Sequence, residues 1–300
     1  MSKRVVLFGA SGTIGRAVGK ELRLGGLDFV CVLRSSSKMP EDLAEYSVNP
    51  DALADVFERE EFDVAISCMA SRTGTPEDAW RVDYQANSEI LKAAQTSGVK
   101  HFILLSAICV QKPKLAFQHA KLAFEKELIE SGLTYSIVRP TAFFKSLSGQ
   151  IARVRSGKPY LLFGNGELTR CKPISDRDLA RFVVGCINDP ERRNRILPVG
   201  GPGPAITPLQ QGEDLFRLTG QEPRYRRVPI ALMNVIIGAL SLAGLASKRV
   251  AEKAEYAKIG RYYATESMLV WDEKTGRYDE ATTPEFGTDT LFEHYRKKLG

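Results

Sequence analysis

Apolar residues in the first half of the chain fall into short unbroken runs, separated by stretches of helical period. The runs cover residues 5–8, 29–33, 64–68, 101–105 and 135–138. They lack the alternation of a half-exposed strand, so they predict strands buried on both faces. Between them, residues 14–24, 77–97 and 114–131 read as helices. Strand and helix in alternation predict an α/β fold whose parallel sheet is covered on both sides. Beyond Pro140 the alternation weakens. Gly157, Lys158 and Pro159 mark one turn, and Gly164, Asn165 and Gly166 another. Residues 176–187 read as a helix capped by Ser175 or Asp176. The pattern divides the chain into a doubly wound parallel domain over 1–142 and a smaller, irregular region over 143–300. The second region is expected to interleave partly with the first and to pack over the carboxyl ends of its strands.

Residues 230–246 stand apart, being uncharged and mostly apolar. They fall short of the roughly 20 residues that a spanning helix needs. They read as a buried helix, the wall of an apolar pocket, or a helix lying in a membrane interface. The net charge of +6 suits an anionic partner, such as a nucleotide phosphate or an acidic substrate. No run of Lys and Arg is long enough for a nucleic-acid arm, so no nucleic-acid partner is expected. Five cysteines are scattered without a CxxC pair. They read as reduced core residues in a cytoplasmic protein, with no metal site. Met1 to Arg4 lead straight into the first strand, and no signal or transit peptide is expected.

Gly9, Ala10, Ser11, Gly12, Thr13, Ile14 and Gly15 close the first strand and open the first helix. Glycines at this junction let the backbone turn and approach a pyrophosphate, while the helix N-terminus offers free N–H groups. The fold is therefore expected to be Rossmann-type, with Gly9, Ser11, Gly12, Thr13, Ile14 and Gly15 at the cofactor. An acidic residue ending the second strand would select NAD. Arg34, Ser35, Ser36, Ser37 and Lys38 stand there instead. Arg34, Ser35 and Lys38 suit a 2′-phosphate, so the cofactor is expected to be NADPH.

The G-x-x-G-x-x-G spacing resembles the extended and atypical short-chain dehydrogenase/reductases. In that superfamily a Ser precedes a Tyr-x-x-x-Lys helix. Ser106 matches the Ser and Lys121 the Lys, but Phe117 occupies the Tyr position. A carbonyl under reduction gathers negative charge on oxygen, which a phenol would protonate and Phe117 cannot. Either the chain is a non-enzyme or it reduces a bond that needs no oxyanion donor, such as a conjugated C=C. Ser106 and Lys121 are the candidate catalytic residues, Lys121 also holding the nicotinamide ribose. His119, two residues from Lys121, points elsewhere on the helix.

Long stretches carry a closer resemblance: residues 104–113, 117–125, 139–147 and, most particular, 264–272. Through them the chain resembles the NADPH-dependent divinyl chlorophyllide 8-vinyl-reductase family, in which Phe at the Tyr position looks typical. The resemblance implies a divinyl chlorophyllide or protochlorophyllide substrate, whose 8-vinyl group becomes ethyl. For a protein of that pathway, the expected absence of a transit peptide points to a bacterium rather than a plastid import product. A flat apolar macrocycle needs a wide apolar cleft. Phe117, Phe143, Phe144 and Leu147 are candidates to line it, and Lys145 or Arg153 to meet the propionate. Peripheral contact with a photosynthetic membrane fits the apolar pigment and the 230–246 segment. Two alternatives stay open: another C=C reductase of the isoflavone-reductase kind, and a non-catalytic NADP(H)-binding sensor or assembly protein.

Overall fold

In a computed structural model, residues 3–33, 41–48 and 53–300 are described. The apolar runs become β1 (Arg4–Phe8), β2 (Asp28–Val32), β4 (Val64–Ser67), β5 (His101–Leu105) and β6 (Thr134–Pro140), with a short β3 (Ser47–Val48). Helices α1 (Thr13–Leu24), α2 (Leu53–Arg59), α3 (Pro76–Ala79), α4 (Ala86–Thr96) and α5 (Ala116–Glu130) connect them. The second region supplies α6 (Phe144–Leu147), α7 (Ile151–Arg155), β7 (Tyr160–Phe163), α8 (Asp176–Gly185), β8 (Arg195–Val199), α9 (Pro208–Thr219) and β9 (Tyr225–Val228). It continues through α10 (Ile230–Gly244), α11 (Lys248–Thr265), β10 (Val270–Asp272), β11 (Arg277–Asp279) and α12 (Leu291–Leu299).

The main sheet runs β3-β2-β1-β4-β5-β6-β8 and is parallel throughout. Order 3-2-1-4-5-6 defines the Rossmann arrangement. Strand side chains alternate between faces, and here both faces are apolar. Val5, Leu7, Val64, Ile66 and Ile103 pack on Val18 and Leu22 of α1 and Leu179 and Val183 of α8. Val6, Phe8, Ala65, Phe102 and Leu104 pack on Ile90 and Leu91 of α4 and Phe124 and Leu128 of α5. Each such buried side chain contributes roughly 1.5–3 kcal/mol, which is why unbroken apolar runs mark these strands. The second region is interleaved with the first: β8 extends the sheet and α8 covers α1. Its own core gathers Phe144, Leu162, Leu215, Phe216 and Tyr295.

Two elements differ from the reading of the sequence. The helix expected over 77–97 is interrupted by a π-helical segment, Trp80–Gln85, between α3 and α4. A wider turn of this kind has no signature in apolar periodicity and often marks functional sites. The apolar stretch at 230–246 does form a helix, α10, but none of its residues is buried. It pairs with α11 as a hairpin, which leaves Val235 69% and Leu242 73% exposed.

Candidate active site

The glycine loop is built by close backbone approach. Gly9 has φ +79°, and a side chain there would meet the Cys68 carbonyl at 2.7 Å. A Cβ at Gly15 would stand 2.2 Å from the Gly9 oxygen, so α1 lies against the loop only because Gly15 is bare. Gly12 donates its N–H to the Gly9 carbonyl at 3.0 Å and serves as the N-cap of α1, with no side-chain cap and no acid in the first turn. The loop and the first turn therefore present N–H groups and the positive end of the helix dipole outward. Ser11, Gly12 and Thr13 are exposed, while Ile14 and Gly15 are buried beneath them. Lys145 of α6 adds a cation, donating to Thr13 Oγ1 at 2.7 Å. This cradle fits a dinucleotide pyrophosphate. Arg34, Ser35 and Lys38 lie outside the described residues.

Lys121 is buried on α5, with its Nζ 2.8 Å from Asp83 Oδ1. Asp83 sits in the π segment, its side chain wholly enclosed. The Ser71 N–H faces both of its carboxylate oxygens at 3.3 and 3.4 Å. Asn87 braces the same turn, donating to the Asp83 and Val82 carbonyls while accepting from Ser67 Oγ at 2.5 Å. The sequence named Lys121 but missed Asp83 and Asn87, because only the π turn brings Asp83 to α5 and Asn87 to Ser67 of β4.

Ser106 follows β5 and is buried. Its hydroxyl donates to Glu125, which is also ion-paired to Arg139. The structure thus ties Ser106 into a buried carboxylate–guanidinium cluster rather than leaving its proton free. Phe117 lies one turn before Lys121 and packs with Ile259 of α11: a Cβ placed on Gly74 would touch both. His119 is exposed. Phe143 packs partly on the sheet core, and Leu147 partly on the second core. Phe144 is fully taken up by that core, with its ring 5.3 Å from His294. Lys145 and Arg153 are both engaged: Lys145 with Thr13, and Arg153 with the Pro159 carbonyl at 2.6 Å.

The stretch 264–272, conspicuous in the sequence, closes the site from behind. Glu266 takes Lys112 at 2.9 Å, Lys114, and the Tyr278 hydroxyl at 2.7 Å. Although burial raises it, hydrogen bonds from Lys114, Lys112 and Tyr278 lower the Glu266 carboxyl to about 2. Lys112 also lies over the Trp271 ring at 4.0 Å. Gln118 spans α5 and the loop after β5, accepting from the Lys114 and Leu115 N–H groups and donating to the Cys109 carbonyl at 3.1 Å. The five cysteines are free thiols, and burial pushes Cys31, Cys68 and Cys171 up to about 12. That suits inert core residues rather than nucleophiles.

Fold and glycine cradle together define a dinucleotide-binding protein, and a family model described as NAD(P)H-binding matches residues 9–190. Among solved structures, an NADPH-dependent quinone oxidoreductase from Escherichia coli, complexed with NADPH, shares the fold. It has a TM-score of 0.71 at 17% identity, covering 99% of this chain and 100% of that one. Sequence similarity is far closer to proteins named divinyl chlorophyllide a 8-vinyl-reductase, chloroplastic. Identity to the one from Arabidopsis thaliana is 46%, over 98% of this chain and 76% of that protein. To the one from Oryza sativa subsp. indica it is 48%, over 98% and 78%. The chain belongs to the divinyl chlorophyllide a 8-vinyl-reductase family. A more distant relative, the photosystem II assembly factor Ycf39 of Synechocystis, is 26% identical over 77% of the chain.

Proposed function

We propose that this chain reduces the 8-vinyl group of a divinyl chlorophyllide or protochlorophyllide to ethyl, with NADPH as the hydride source. What carries the reading is identity of 46–48% along 98% of the chain to reductases of that name. A site that keeps Lys121 but has Phe117 in place of a phenol supports it. Such a site is ill suited to carbonyl reduction and compatible with a vinyl group, whose charge can spread into the macrocycle. NADPH, when bound, would supply hydride to the terminal vinyl carbon. Gly9, Ser11, Gly12, Thr13, Ile14 and Gly15 would hold its pyrophosphate, with Lys145 beside them. Lys121, steadied by Asp83, would hold the nicotinamide ribose. Phe117, Phe143 and Leu147 would offer apolar surface to the pigment. Ser106 would act through Glu125, keeping the loop after β5 in place. Purified protein with NADPH and divinyl chlorophyllide a should give a product two hydrogens heavier, with the matching absorption shift. No conversion while NADPH binds tightly would instead favour the assembly-factor reading that the Ycf39 likeness allows. Arg34, Ser35 and Lys38 would select NADPH through the 2′-phosphate. Arg34→Ala should lower the NADPH/NADH ratio of kcat/KM, and a wild type that prefers NADH would refute the assignment.

The protein would work at a membrane surface. Among the described residues no helix is long and apolar enough to cross a membrane, and α10, about 22 Å long at 1.5 Å per residue, fits the interface plane instead. Leu232, Val235, Ile236 and Leu242 form one exposed apolar stripe. Exposed Arg224, Arg226 and Arg227 precede it and Lys248 and Arg249 follow, a charge pattern complementary to anionic lipid. The chain should sediment with vesicles containing phosphatidylglycerol but not with phosphatidylcholine alone, and Val235→Asp should abolish this. Protein left in the supernatant with both vesicles would rule the contact out.

A further inference from the structure

The missing phenol at position 117 leaves a chemical gap. Hydride addition alone turns a vinyl group into an anion, and an acid must complete the ethyl group. The two candidates that match the superfamily pattern are already committed: the Ser106 hydroxyl donates to Glu125, and the Lys121 ammonium is paired with Asp83. Tyr262 donates to the Cys109 and Lys112 carbonyls, and Tyr278 to Glu266.

Tyr263 is different. Helix α11 crosses the start of α5, where Ile259 and Phe117 close together on Gly74. Tyr263 follows Ile259 by one turn and so shares its helix face. Its hydroxyl lies 3.8 Å from Cys109 Sγ, in the 3₁₀ turn just after β5. A thiol sulfur is a weak acceptor, so this O–H remains available to a stronger base. Cys109 also sits against the start of α5, its carbonyl accepting from Gln118, the residue after Phe117, at 3.1 Å. The Tyr263 side chain is 45% exposed, so solvent reaches it.

We infer that Tyr263 is the proton donor of the reduction, supplying from α11 the phenol that α5 lacks at Phe117. The inference rests on the vinyl-reductase reading given above. Hydride forms a C–H bond at the terminal vinyl carbon and the π bond breaks, its electron pair passing to the inner carbon and the conjugated ring. The Tyr263 O–H bond then breaks, and the proton forms the second C–H bond at the inner carbon. Water reaching the exposed side chain returns a proton to the phenolate. The nicotinamide is oxidised, the vinyl group is reduced, and one solvent proton is consumed per turnover.

The test compares wild type with Tyr263→Phe in D2O, using unlabelled NADPH. Wild type should place deuterium on the inner carbon of the ethyl group in one stereochemical sense. The variant should lose roughly 100-fold in kcat, the lower end of what a general acid contributes. It should also give both senses, because water would replace the phenol, while dissociation constants for pigment and NADPH stay within twofold. Among the described residues the hydroxyl's hydrogen-bond partner is a thiol at 3.8 Å, so its loss should leave folding intact, checked by an unchanged melting temperature. An unchanged kcat, a single stereochemical sense in the variant, or a defect confined to pigment affinity would each overturn the assignment while leaving the reductase reading standing. Wild type that reduces no vinyl group would remove both.

Discussion

Replacing Asp83 by asparagine would separate the charge of the Lys121–Asp83 pair from its shape. The amide keeps the volume and can still accept from Lys121, but the ammonium loses its counter-charge. The two groups stand 2.8 Å apart with side chains 0% and 10% exposed, so water screens them little. At an effective dielectric constant of 20 their gross attraction is about 6 kcal/mol. Most of that offsets the desolvation of two charges, so the pair as a whole is nearly neutral for stability. Removing one partner is another matter, because the remaining buried charge is uncompensated and costs about 3–5 kcal/mol. For a chain of 300 residues each kcal/mol lowers Tm by about 2 °C, so Asp83→Asn should melt roughly 6–10 °C below wild type. The double variant Asp83→Asn with Lys121→Met removes both charges and should recover most of that loss. NADPH binding, followed by fluorescence titration, should separate the roles. Asp83→Asn should weaken it moderately, whereas the double variant, which lacks Lys121, should weaken it more, however stable it is. A single variant melting within 1–2 °C of wild type would refute the argument, as would a double variant no more stable than the single.

Two further outcomes follow from particular distances and charges. Gly15→Ala puts a methyl group 2.2 Å from the Gly9 carbonyl oxygen, where both sides are backbone and neither can yield cheaply; NADPH titration should show affinity at least tenfold weaker. Glu266, ordinarily near 4.5, is held at about 2 in the folded state. A depressed carboxyl adds stability that is complete above about 4.5 and lost as pH falls through 2. At about 1.4 kcal/mol per pH unit of depression the contribution is about 3 kcal/mol. Chemical denaturation of Glu266→Gln should show lower stability than wild type at pH 7 and a gap that closes toward pH 2, and a gap independent of pH would count against the assignment.

Much of this protein is written locally. The unbroken apolar runs fixed which segments become buried parallel strands, because a strand covered on both faces has no polar positions to spare. Gly9 and Gly15 announced the tight loop between β1 and α1, since only glycine tolerates the backbone contacts that form it. Lys121 was legible from its spacing to Phe117 along one helix. What the tertiary structure decided is who meets whom. Asp83 looks like an ordinary helical acid until a π turn directs it at Lys121. Ser106 looks like a free hydroxyl until Glu125 and Arg139 arrive from α5 and β6. Phe144 looks like a pocket wall until the second core absorbs it. Residues 230–246 read as a buried helix, a pocket wall or an interfacial helix, and the fold packs α10 chiefly on α11 and buries none of its residues. Burial is a property of what packs on a segment, not of the segment alone. Tyr263 lies 142 residues beyond Lys121 in the chain, and no periodicity links positions so far apart; it stands near the start of α5 only because α11 folds back there.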